Sequence, residues 1–196
     1  MRLATLAAAM LSAGFIATAA NANTFVPDPG HTEVVVAWNH AGFSIQTAKF
    51  HQVEGTLELD EGNVEAAKAE FTVAVSSVDT GVEALDGHLQ GGDFFDAASY
   101  PAVTFVSTGI EMTGDKTAKI TGDLTMKGVT NPVVFDVVIH NIGDHPVGQF
   151  FDYYKGTWVG LTATATIKRS EFGMGAMVPV GSDEIEITIN SEMKAQ

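Results

Sequence analysis

The 196-residue chain predicts an all-β fold: eight antiparallel strands closed into a barrel, with one short helical crossover. Three observations carry this. Apolar residues alternate with period two along most of the chain, short breaks rich in Gly, Asp and Lys separate the runs, and the stretch 79–98 gives up the alternation for a helical spacing. Alternation marks strands with one buried face. Closure follows because an open sheet leaves two edges of unpaired N–H and C=O groups, and joining them removes both.

Thr32, Val34, Val36 and Trp38 give the first strand; Val53, Leu57 and Leu59 the second, ending at Asp60-Glu61-Gly62. Ala69, Phe71, Val73 and Val75 form the third, Val103 and Phe105 the fourth, Ile120, Leu124 and Met126 the fifth. Val133, Phe135, Val137 and Ile139 mark the sixth, and Val159, Leu161, Ala163, Ala165 and Ile167 the seventh. In the eighth, Ile185, Ile187 and Ile189 alternate with Glu184, Glu186 and Thr188. Thr113-Gly114-Asp115-Lys116 and Lys127-Gly128 read as hairpin connections, and Gly143-Asp144-His145-Pro146 opens a longer loop.

Between the third and fourth strands, Val82, Leu85 and Leu89 recur at helical spacing. Thr80 stands as N-cap with Glu83 three residues on, a capping-box pattern. Glycines 81, 87, 91 and 92 weaken this segment, and a weak helix over a channel mouth is a lid. Phe94 and Phe95 follow, bounded by Asp93 and Asp96 and leading to Tyr100-Pro101. Adjacent strand residues face opposite ways, so both rings turn inward only on a turn or short helix. They are either a hydrophobic plug for one barrel end or the rim of an apolar cavity.

The N-terminus reads as a secretory leader, with Arg2, an apolar run from Leu3 to Ile16 and an A-x-A signal at Ala20-Asn21-Ala22. Cleavage after Ala22 is expected, leaving one domain over 23–196 in the periplasm. The chain has no cysteine, which excludes disulfides, thiolate catalysis and cysteine metal sites. Its net charge of −14 opposes contact with nucleic acid and anionic membrane surfaces. The loop aromatics Phe150, Phe151, Tyr153 and Tyr154 would suit transient docking to a membrane or membrane protein, with burial against the barrel as the expected state.

An eight-stranded barrel either fills with side chains or holds one ligand. Here bulky Trp38, Phe71, Phe105 and Phe135 mix with small Ala69, Gly122 and the Thr/Ala-rich seventh strand, so a partly hollow interior and a packed barrel or sandwich both stand.

Four segments in order resemble the YceI-like family of exported, lipocalin-like, polyisoprenoid-binding proteins, across nearly all the chain from Asp28. They are Asp28-Pro29-Gly30-His31-Thr32 with Val34 and His40; Asp86-Gly87-His88-Leu89 running into Asp93-Phe94-Phe95-Asp96, Tyr100-Pro101 and Phe105; Gly122 to Thr130; and Gly160 through Arg169, Phe172 and Gly173 to Asp183-Glu184-Ile185. Thr32 replaces the family's usual Ser, and Val36 its usual Phe, which widens the channel there. The resemblance implies an eight-stranded lipocalin-like barrel whose apolar channel takes a long isoprenoid, quinone or fatty-acyl chain. On that footing Trp38, Phe71, Phe94, Phe95, Phe105 and Phe135 line or gate the channel.

His31, His40, Asp86 and Arg169 match family positions and are candidates for the polar head of such a ligand. Arg169 would meet a pyrophosphate or quinone carbonyl through its planar fork, or else form an ion pair with Asp86 or another carboxylate. The histidines would otherwise hydrogen-bond within a core or turn. No H-x-x-x-H or H-E-x-x-H spacing occurs, His140 and His145 bracket Asp144 as the one thin metal candidate, and no nucleophile elbow is present. The expectation is a carrier or reservoir without cofactor, monomeric or homodimeric. The alternatives are an accessory to an isoprenoid- or quinone-linked redox or modifying enzyme, and a structural β-domain with a filled core.

Overall fold

The alternating runs fold into one closed antiparallel sheet in the computed structural model, which describes residues 22–196. The expected leader lies, apart from Ala22, outside the described residues. The strands are β1 (Asn23–His40), β2 (Ser44–Phe50), β3 (Val53–Leu59), β4 (Lys68–Ala74), β5 (Val78–Asp79), β6 (Ala102–Gly114), β7 (Thr117–Met126), β8 (Val129–Asp144), β9 (Thr157–Lys168) and β10 (Glu184–Ala195). One α-helix, α1 (Glu83–Gln90), crosses between β5 and β6.

These ten segments make eight staves. β2 and β3 lie end to end along β1, with Val34 opposite Phe50 and Phe25 opposite Leu57. β4 and β5 continue each other in the same way, Val73 facing Val53 and Val78 facing Phe50. β1 also pairs with β10, Val34 opposite Ile189, which closes the ring.

The sequence reading missed β2. Its buried residues are Ala48 and Phe50, whereas Ile45 points to solvent, so its apolar residues change phase and hide the alternation. Val75, assigned to the third strand, sits buried in a single 3-10 turn instead. The switch of β1 from β3 to β2 falls at a bulge between Pro27 and Thr32. Asp28 holds that bulge, accepting from Gly30 N–H at 2.6 Å and Tyr153 O–H at 2.9 Å.

Lys127-Gly128 forms the expected two-residue turn, both residues having positive φ (49° and 75°), which suits the right-handed twist of a hairpin. The Tyr100 ring lies against Gly128, where a Cβ would stand 2.6 Å from Cε1. The expected capping box is absent. The N-cap is Val82, and Asp86 reaches back so that Thr80 N–H and Oγ1 both donate to its Oδ1 at 2.7 Å.

The two barrel ends differ. At the end where β1 begins and β10 finishes, Phe25, Leu57, Leu59, Ala69, Val159 and Met193 pack into a cluster that seals it. At the other end lie the β1–β2 tip, α1 with residues 91–101, the β7–β8 turn and the segment 169–183.

Candidate functional site

The inward faces of the strands do not meet across the barrel axis. They enclose a cavity of about 670 Å³, within the range of roughly 300–1,000 Å³ that takes a small-molecule ligand. Val34, Ala48, Val137, Ala163, Ile187 and others that are buried from outside form its wall. The filled-barrel alternative is thereby excluded.

The small residues are not what makes it hollow. Gly122 lies under the Phe105 ring, where a Cβ would stand 2.3 Å from Cζ, and Gly55 lies under Phe71 with 2.6 Å to Cδ1. The missing side chains are replaced by neighbouring rings. Phe105 meets Phe135 edge to face, centroids 5.3 Å apart, the favoured geometry for two aromatic quadrupoles.

Trp38, Phe71, Phe94, Phe95, Phe105, Phe135, His40 and Arg169 all line the cavity. Phe94 and Phe95 occupy turns after α1 at the mouth, not the sealed end. Phe95 meets Phe50 edge-on at 5.6 Å, and Phe94 lies between His88 at 4.9 Å and the Arg169 guanidinium at 5.5 Å. Leu85 and Leu89 of α1 complete this cover. Lys127 fastens it, donating from Nζ to Gly92 O at 2.7 Å and Gly173 O at 3.3 Å.

His31 and Asp86 stand apart from this lining. His31 sits in the β1 bulge, its Nδ1 3.4 Å from Asp28, and Asp86 is occupied by Thr80. The motifs containing them build the bulge and the start of α1. His140 contacts Thr162 Oγ1 at 2.9 Å and His145 contacts Glu192 at 3.3 Å, so the His140, Asp144 and His145 trio is not gathered. The loop aromatics also differ from expectation. Tyr154 stacks on Trp158 at 5.4 Å, whereas Phe150, Phe151 and Tyr153 remain exposed, Tyr153 meeting Trp158 only edge-on at 6.0 Å.

Arg169 corrects the ion-pair expectation. It is 7% exposed and, among the described residues, donates to carbonyls and to no carboxylate. Its Nε donates to Ser182 O at 2.8 Å, Nη2 to Ala176 O at 2.7 Å and Gly181 O at 3.2 Å, and Nη1 to Met174 O. Burial lowers its pKa, partly countered by the field of Asp183. The guanidinium organises segment 174–182, which supplies Met174, Met177, Val178 and Val180 to the cavity wall. Sequence reasoning missed these four and Phe50; the segment has no periodicity to read, and its clue was the run of apolar residues after Gly175.

Asp183 anchors the same segment, accepting from Ser170 Oγ at 2.8 Å and Ser170 N–H at 2.9 Å. These two bonds hold its carboxyl below the ordinary value of 3.8. The stabilisation is complete above that value and disappears as the pH falls through the lowered one. Hydrogen exchange across 169–183 is therefore expected to accelerate below about pH 4, and the Asp183→Asn variant to show the faster exchange already at neutral pH.

Comparison with known proteins agrees with this architecture. A family model described as the YceI-like domain matches residues 25–193. Protein YceI of Escherichia coli O157:H7 is 35% identical over 189 residues, 96% of this chain and 93% of that one. A UPF0312 protein of Pseudomonas syringae pv. tomato is 33% identical over 191 residues, covering 96% and 94%. Among solved structures, BcnA of Burkholderia cenocepacia superimposes with a TM-score of 0.74 at 24% identity, over 85% of this chain and 98% of that one. A polyisoprenoid binding domain from Saccharophagus degradans, implicated in plant cell wall breakdown, gives 0.67 at 13% identity over 90% and 100%. These two structures share the fold.

Proposed function

The chain belongs to the YceI-like family, and from that premise we propose that it binds a long-chain amphiphile, a polyisoprenoid, isoprenoid quinone or fatty-acyl lipid, and carries or stores it in the periplasm. The observation that supports this reading is the cavity itself, about 670 Å³ walled by Trp38, Phe71, Phe105, Phe135 and aliphatic side chains. A hydrocarbon chain gains about 0.8 kcal/mol for each CH₂ removed from water. A dry channel of this kind is what carriage demands, and the reading assigns binding without catalysis. The tail occupies the barrel and the polar head lies at the mouth. There His40 faces it directly, and Arg169 contributes positive potential without spare geometry for a bidentate grip.

The test is a titration with isoprenoid quinones of increasing tail length, followed through quenching of Trp38 emission. Saturable quenching that tightens with each prenyl unit is expected. Absence of quenching at every length contradicts the reading. If the turn after α1 is the gate, Phe95→Ala raises the ligand release rate about tenfold by removing its packing on Phe50. Unchanged affinity and release would eliminate Phe95 as a gate.

A further inference from the structure

The mouth has a second component besides the α1 cover. The β1–β2 tip and segment 173–182 lie side by side, with His40 bridged to Gly181 and Ser182 N–H donating to Asn39 O at 3.4 Å. In a chain of net charge −14, residues 39–48 and 172–182 contain no Asp, Glu, Lys or Arg. Both segments instead turn apolar side chains to water: Phe43 is 92% exposed, Val180 71%, Ile45 64% and Met177 59%. Ala41, Met177, Val178 and Val180 also line the cavity. The exposed rim and the cavity wall are therefore one continuous apolar surface, and such a surface marks a contact.

We propose that this rim is a lipid-docking lip, with Phe43, Ile45, Met177 and Val180 entering the interface of a zwitterionic bilayer so that an amphiphile passes between membrane and cavity without crossing water. This rests on the carriage reading above. The charge distribution selects the surface. The two rim segments carry no Lys or Arg; of the cations beside them, Arg169 is buried and bonded to four carbonyls and Lys127 is bonded to two, whereas Glu83 and Asp93 on the lid side are exposed and are repelled by anionic head groups. Insertion is then driven by apolar area, as for interfacial segments generally, and is insensitive to salt. A second copy is a poorer occupant, because a two-fold contact through the rim would bring together two mouths that each carry exposed Glu83, Asp93 and Glu184. Phe150 and Phe151 are also exposed, but they belong to the sealed end, beside Asp152 and Lys155, and do not line the cavity.

Flotation of the full chain with phosphatidylcholine vesicles tests the lip. The wild type is expected to float at low and high salt alike, less so when phosphatidylglycerol is added. The double variant F43S/I45S, whose two side chains are exposed and do not line the cavity, is expected to partition at least about tenfold more weakly. Its uptake of ubiquinone from the same vesicles falls correspondingly, while uptake from detergent micelles is unchanged. A wild type that does not float, or a double variant that floats equally, overturns the lip. So does a sedimenting dimer that the two substitutions dissociate, which would give the rim to a second copy. A protein that floats yet takes no quinone from vesicles or micelles upholds docking and overturns the carriage reading instead.

Discussion

Arg169→Met is expected to destabilise the protein by about 2–4 kcal/mol and to release segment 174–182 from the barrel mouth. The guanidinium donates to four carbonyls, those of Met174, Ala176, Gly181 and Ser182, and these bonds gather a loop with no regular structure of its own. Each is charge-assisted, and its loss is offset only in part by relief from burying a cation. Arg169→Lys is not a conservative repair, because one ammonium cannot reach four carbonyl acceptors arranged around a planar fork. Urea unfolding with hydrogen exchange over 169–183 checks this. An unchanged midpoint with unchanged loop protection would show that the segment holds itself.

Ala163→Phe is expected to leave the fold intact and to reduce affinity for a long-chain ligand about a hundredfold. Ala163 stands on β9 between Val137 of β8 and Ile189 of β10, its methyl on the cavity wall. Overpacking a solid core costs about 1–3 kcal/mol, but here the ring has space to enter. It takes the volume of three or four methylenes of ligand, each contributing about 0.8 kcal/mol. Circular dichroism establishes the fold and the quinone titration gives the affinity. Full affinity with the native fold would place the ligand outside the barrel.

The barrel was legible where each stave has one wet and one apolar face. Phe135 and Val137 on β8 and Ile185, Ile187 and Ile189 on β10 follow the expected period, and all line the cavity or pack against it. β2 was hidden because Ile45 and Phe50 lie on opposite faces. Hollowness was not readable from residue size. Gly122 and Gly55 looked like spare volume, yet the rings of Phe105 and Phe71 occupy both places, a pairing set by register rather than by composition.

Polar residues were the hardest to place. Arg169 in an acidic chain suggested a carboxylate partner, and nothing local in the sequence shows that the following loop wraps carbonyls around it. Asp28, buried and bonded to Gly30 and Tyr153, explains the first motif as a bulge-former, a role that places His31 outside the cavity. Long-range contacts of this kind, Asp28 with Tyr153 or Lys127 with Gly92, leave no periodic trace. They decide which motif residues shape the barrel and which face its interior.

The central claim is that the cavity holds a long-chain amphiphile, and native mass spectrometry of protein purified from its own cells, followed by organic extraction of what dissociates, tests it most directly. The account predicts one isoprenoid, quinone or acyl lipid per chain. An empty protein that also refuses ubiquinone and polyprenyl phosphate in titration would contradict it.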